Sequence, residues 1–109
     1  MSFKVKFTET AKDDLRGIAH YIATASGEKS VAINFVNELR EKTRILENFP
    51  EIGASPRDRV MLSAGYRYLV HKDHLIFYRF ESGEGTSYIL AIFNAKRDYT
   101  KVMQKFIQK

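Results

Sequence analysis

The chain contains no cysteine. That excludes a disulfide framework and any zinc centre built on thiolates, and it fits a protein that works in a reducing cytoplasm. Proline is scarce as well, with two in 109 residues, while 44% of the residues are hydrophobic, the balance of a folded globular chain and not of a disordered one. Long apolar runs are missing. The opening Met1-Ser2-Phe3-Lys4-Val5-Lys6-Phe7 alternates polar with apolar, unlike a signal peptide, and no segment approaches the length of a membrane span. The expectation is a soluble, intracellular protein with no membrane partner. No phosphate-cradling GKS/T loop, nucleophile elbow or HExxH pair occurs. An ordinary hydrolase or nucleotide-dependent enzyme is therefore unsupported, and neither a cofactor nor a metal is expected.

What is present begins with charge. The net charge of +5 is unevenly spread. Residues 1–53 carry eight Lys/Arg and eight Asp/Glu, whereas residues 54–109 carry ten and five. A basic excess confined to one half favours a phosphate-rich or acidic partner, with a plain solubility surface as the alternative. At 109 residues the chain reads as one domain, 1–109, able to bury roughly 65% of its unfolded surface.

Hydrophobic periodicity then divides the chain. Residues 2–7 read as a strand with Phe3, Val5 and Phe7 on one face. The period changes to a helical one through Ala11, Leu15, Ile18, Ala19 and Ile22, with Thr8 or Thr10 placed to cap the start. Ser26-Gly27 ends that helix, and a second runs from about Glu28 to Asn48 on a stripe of Val31, Phe35, Leu39 and Leu46. Two helices on so short a link form an antiparallel hairpin. Phe49-Pro50-Glu51-Ile52-Gly53 leads out of it, and residues 60–64 are expected to form a short strand.

The most telling stretch follows. Residues 66–71 and 74–80 alternate around a polar link at Lys72-Asp73, the pattern of a β-hairpin. It should bury one face and hold arginine, histidine and tyrosine in place on the other. Ser87 to Asn94 is nearly continuous in apolar residues and reads as a central strand, and Asp98 is placed to cap a final helix with Val102, Met103, Phe106 and Ile107 on its apolar face. The order is β-α-α-β-β-β-α: an α+β fold, an antiparallel sheet with a helical hairpin packed on one face.

The candidate binding residues are cationic. Lys96 and Arg97 stand where the last strand gives way to the last helix, whose free N–H groups favour anions. Arg67 and Arg79 on the hairpin and His74 beside its turn complete an anion-binding set. The alternative for Lys96 and Arg97 is a solvated pair beside the Asp98 cap. His71 and His74 flank the turn, and the alternatives for them are acid–base chemistry or a plain surface role.

Taken together and in order, several motifs resemble the RelE/ParE superfamily of toxins from bacterial type II toxin–antitoxin systems. They are Thr10-Ala11-Lys12-Asp13-Asp14-Leu15, Ile18-Ala19-His20-Tyr21-Ile22, Phe49-Pro50-Glu51-Ile52-Gly53, Gly65-Tyr66-Arg67, His74-Leu75-Ile76-Phe77-Tyr78-Arg79 and Lys96-Arg97-Asp98-Tyr99. The resemblance implies a toxin that arrests growth, serves plasmid stabilization and is neutralised by a cognate antitoxin. An antitoxin of this kind wraps a helix and an extended segment over the toxin and supplies the operator binding that the toxin alone lacks. ParE-like members poison DNA gyrase and are not themselves enzymes. RelE-like members cut mRNA on the ribosome, without a metal, as mRNA interferases. For the second activity Arg67 and Arg97 match the family's arginines, while its late tyrosine is replaced near Met103, leaving Tyr99 one turn earlier as the substitute catalytic residue. The Phe-Pro-x-x-Gly exit and the Arg-Asp ending look more like the ParE side. Gyrase poisoning is the expected activity, with ribosome-dependent mRNA cleavage as the alternative and a non-toxic nucleic-acid-binding adaptor as a further one.

Overall fold

The computed structural model describes residues 2–107, the side chain of Ile107 excepted. Strand β1 (Lys4–Phe7) leads into helix α1 (Glu9–Ser26) and helix α2 (Lys29–Thr43), which runs on as a 3-10 turn (Arg44–Glu47). A short helix α3 (Arg59–Ser63) precedes strands β2 (Tyr66–His71), β3 (His74–Glu81) and β4 (Thr86–Asn94), and helix α4 (Tyr99–Ile107) closes the chain.

Local chemistry sets these boundaries. Thr8 caps α1, its side chain accepting the Ala11 N–H at 3.2 Å, an arrangement that contributes on the order of 1 kcal/mol. Gly27, at φ 75°, ends α1 in the left-handed turn that glycine adopts without strain. Asp58 caps α3 through the Met61 N–H at 3.0 Å. That cap overturns the expected strand at 60–64. Val60, Met61 and Leu62 are apolar without a period, and an aspartate three residues before Met61 tips such a run into a helical turn.

The sheet order is β1-β4-β3-β2. β2, β3 and β4 run antiparallel, but β1 lies parallel to β4, Val5 opposite Ser87 and Phe7 opposite Ile89. The sheet is therefore mixed, not wholly antiparallel as its alternation led one to expect. The two helices carry the chain across the sheet before it returns, a crossover that permits parallel pairing.

Both faces of the sheet are covered, which corrects the expectation of one open platform. Under the α1–α2 hairpin, Ala11, Leu15 and Leu39 pack with Leu46, Leu69, Ile76, Tyr78, Ile89 and Ile92. On the opposite face Met61 of α3 and Met103 of α4 pack over Tyr66, Leu75, Phe77, Ala91 and Phe93. Within the hairpin Val31 is 42% exposed, so the buried stripe of α2 runs through Ala32, Leu39 and Thr43 instead. Phe35 is partly buried against that core.

Candidate functional site

The site begins at a two-residue turn. Lys72 takes φ 53°, a left-handed conformation that a β-hairpin demands and that non-glycine residues adopt at some cost. The ladder puts His71 opposite His74, and His74 opposite Asn94 at the end of β4. The Asp73 carbonyl then accepts the Ala95 N–H at 2.8 Å, so the chain leaving β4 is pinned to the hairpin tip.

Side chains tighten the same corner. The Asp73 carboxylate meets His74 Nδ1 at 2.9 Å and Asn94 Nδ2 at 3.4 Å. The hydrogen bond to His74, foremost, holds the Asp73 carboxyl below its usual range. Asn94 Oδ1 accepts the Lys96 N–H at 2.8 Å, the Asn94 carbonyl accepts the Arg97 N–H at 3.1 Å, and Asp98 caps α4 through Thr100 N–H at 3.0 Å. Lys96 and Arg97 thus have fixed backbones and exposed side chains, the Arg97 guanidinium lying 5.8 Å from the centre of the Phe93 ring. His71 turns to a different carboxylate. Its Nε2 sits 2.9 Å from Glu38 Oε1, which Lys72 also reaches at 3.0 Å, and these two contacts, His71 first, hold Glu38 below the usual carboxylate range.

An open groove of about 750 Å³ runs between this corner and α1. Asp13, Asp14, Gly17 and Tyr21 form its α1 wall, and His74, Asn94, Lys96 and Arg97 form the other, over Phe35, Ile92 and Phe93. Asp14 is half-buried. Its Oδ2 accepts the Ile92 N–H at 2.9 Å, the position where β4 no longer has β1 beside it. Burial raises the Asp14 pKa above its ordinary value, against the lowering effect of that hydrogen bond and of the Lys105 and Arg97 charges.

Of the anion-binding set, the structure brings together His74, Lys96 and Arg97. Arg67 and Arg79 lie near the other end of the sheet, paired across the ladder with Tyr78 and Tyr66. Tyr78 stands four residues from His74 on β3, about 14 Å of strand away at a rise of about 3.4 Å per residue. Strand alternation also turns Arg67 and Arg79 to opposite faces. Arg67 Nη1 donates to the Gly53 carbonyl at 3.0 Å, and Arg79 Nε pairs with Glu81 at 2.9 Å. Tyr99 belongs to the face under α4, its ring 5.4 Å from Phe77 and 6.0 Å from Tyr68, and its hydroxyl accepts the Arg57 N–H at 2.9 Å.

Sequence reading missed Asp14, Gly17, Tyr21 and Asn94 as part of this groove. The helical period flagged the buried stripe of α1 but not the flank beside it, and only the end-of-strand placement of Asn94 hinted at a shared corner.

Three comparisons bear on this architecture. A scan against protein families matches residues 5–99 to the family described as ParE toxin of type II toxin-antitoxin system, parDE. A search of curated proteins found no match. Among solved structures the chain is similar to one from the chromosomal ParDE toxin–antitoxin system of P. aeruginosa, at 23% identity and TM-score 0.69 over 85% of this chain and 96% of that one. It is also similar to an E. coli RelE mutant in the free state, at 12% identity and TM-score 0.66 over 96% and 98%. A third similar chain comes from the RelBE2 toxin–antitoxin complex of Mycobacterium tuberculosis, at 20% identity and TM-score 0.57 over 86% and 92%. The structural likenesses establish a shared fold, and the family match spans most of the chain: it belongs to the ParE toxin family of type II toxin–antitoxin systems.

Proposed function

We propose that this toxin acts in the cytoplasm by poisoning DNA gyrase and that a cognate antitoxin holds it inactive. The observation that carries the choice of target is the dispersal of Arg67, Arg97 and Tyr99. Metal-free cleavage of RNA by attack of the ribose 2′-OH needs a base, a phosphate-stabilising cation and an acid within reach of one phosphodiester. Here Arg67 is engaged with the Gly53 carbonyl, Tyr99 packs under α4 on the other face, and Arg97 lies at the far corner. A protein that works by binding has no need of such a cluster. The exposed Lys96 and Arg97 suit an enzyme bound to DNA, because cations gain affinity beside phosphates by releasing counterions.

The outward groove of the α1–α2 hairpin supports the antitoxin part. Its walls carry Arg40, together with Lys12 and Arg16 that pair with Glu9 and Asp13, around Leu15, Ala19, Ile33 and Val36. An amphipathic helix with an acidic rim complements that surface. Programmed bacterial ribosomes incubated with the purified protein should keep their mRNA intact, read by primer extension. Cleavage at the A-site codon, lost in an Arg97→Ala variant, would overturn the proposal in favour of an mRNA endonuclease.

A further inference from the structure

The groove between α1 and β4 gathers four features of different chemistry around one cavity. The first is a donor and an acceptor side by side on a strand edge. β1 accompanies β4 only as far as Ile89. Because the Ala95 N–H bonds the Asp73 carbonyl, ladder alternation turns the backbone groups of residues 92 and 94 away from β3, toward the groove. Asp14 takes the Ile92 N–H, which leaves the Ile92 carbonyl and the Asn94 N–H as neighbours along this edge.

The second is ring surface. Phe35 and Phe93 line the floor, and the exposed ring of Tyr21 stands at the α1 wall. The third is Gly17. It sits in the middle of α1, where glycine costs roughly 0.5–1 kcal/mol relative to alanine. Nothing lies within 4 Å of where its Cβ would be, so no neighbour requires its absence, and its effect is to keep the α1 wall open.

The fourth is charge of both signs, set on opposite walls. Asp13 and Asp14 stand on α1, and Lys96 and Arg97 lie across from them. Asp13 pairs with Arg16, whereas Lys96 and Arg97 have no ion-pair partner among the described residues.

We infer that this groove binds a free adenine mononucleotide, its base edge on the Ile92 carbonyl and the Asn94 N–H and its phosphate on Lys96 and Arg97. Adenine offers an amino N–H donor beside a ring-nitrogen acceptor, the complement of a carbonyl and an N–H that project from one strand edge. Stacking of a base on aromatic rings is worth about 1–3 kcal/mol. The ribose hydroxyls are donors and suit the carboxylates of the α1 wall. The cavity, about 750 Å³, lies within the range of small-molecule sites, roughly 300–1,000 Å³. A chain of phosphates or a run of acidic side chains would set negative charge against Asp13 and Asp14, whereas a mononucleotide brings a single phosphate to the cationic wall. The inference stands apart from the choice of gyrase as target.

The test is isothermal titration calorimetry on the purified full-length chain with adenosine 5′-monophosphate. Saturable binding is expected. Inosine 5′-monophosphate reverses the donor and the acceptor on the base edge and should bind about tenfold more weakly, the loss of two hydrogen bonds. Replacing both cations (Lys96→Ala with Arg97→Ala) should weaken the adenine nucleotide about tenfold while leaving unphosphorylated adenosine unchanged. Gly17→Leu should abolish binding while the melting temperature holds or rises, which separates a blocked groove from a misfolded protein. No saturable binding of the adenine nucleotide, equal binding of its inosine counterpart, or binding indifferent to Gly17→Leu would overturn the inference. An oligo-dA strand that binds more tightly than the mononucleotide would overturn it as well, in favour of a nucleic-acid contact.

Discussion

A single glycine shows how far one residue can be constrained. Gly53 donates its N–H to the Tyr78 hydroxyl at 2.9 Å and offers its carbonyl to Arg67 at 3.0 Å. A Cβ there would lie 2.6 Å from Tyr78 Cε1 and Oη and 3.0 Å from the Tyr68 carbonyl. Tyr78 is fully buried and cannot swing aside, so Gly53→Ala should destabilise the protein by about 1–3 kcal/mol, the usual cost of overpacking. Tyr78→Phe removes the acceptor for the Gly53 N–H and should cost about 1–3 kcal/mol. Urea unfolding of the two variants checks both, and wild-type midpoints would refute the clamp. Burial also raises the Tyr78 pKa, against the lowering effect of the Gly53 hydrogen bond.

Asp14 makes a pH prediction of the same residue-level kind. Its folded pKa is raised, so the folded protein binds its proton more tightly than the unfolded chain does. Stability from this group is present at low pH and is lost as pH rises from the ordinary carboxylate value through the raised one. Asp73 and Glu38 work in the opposite sense, with lowered values, and their contribution is lost as pH falls. Asp14→Asn keeps an acceptor for the Ile92 N–H but removes the titration. Its melting temperature at neutral pH should match or exceed that of the wild type, with a steeper decline on acidification. A wild-type pH profile would contradict the burial of Asp14 as the cause.

At the scale of elements, what could be read from the sequence divides by mechanism. The β2–β3 hairpin was legible in its turn and register, because alternation on both arms and a polar two-residue link leave one register, though β3 runs one residue further, to Glu81. The helical hairpin was legible in existence, and the α2 stripe only in part. Val31 and Ala32 are both apolar neighbours, and only the crossing of α1 and α2 decides that Ala32 faces inward. Leu39→Ala should cost about 2–5 kcal/mol and Val31→Ala close to nothing, a contrast that thermal unfolding resolves. The groove was less legible still. Lys96 and Arg97 stood out by charge, but Asp14 and Gly17 join them only through the packing of α1 along the uncovered end of β4. β4 has one further signature: Ser87 is fully buried, and its hydroxyl is the one buried side-chain polar atom without a partner among the described residues. Ser87→Ala should therefore be neutral or stabilising by up to about 1 kcal/mol, and a marked loss in chemical denaturation would reveal a partner for that hydroxyl.

At the scale of the whole molecule, the basic half of the sequence contributes a surface that no single motif reveals. Arg97 and Lys101 border a second shallow hollow at the start of α4, beside the groove that also holds Lys96. Exposed cations concentrated at one corner steer anionic partners and do so less well as salt rises. Both grooves flank α1, and Arg16 of the hairpin groove pairs with Asp13 of the α1–β4 groove, so partners seated at the two would meet along one helix. Purified toxin should be incubated with bacterial gyrase, supercoiled plasmid and ATP, then treated with detergent and protease. Linear plasmid should accumulate with toxin concentration and vanish when cognate antitoxin is added first. Plasmid left uncut by a preparation that still arrests cell growth would contradict gyrase poisoning.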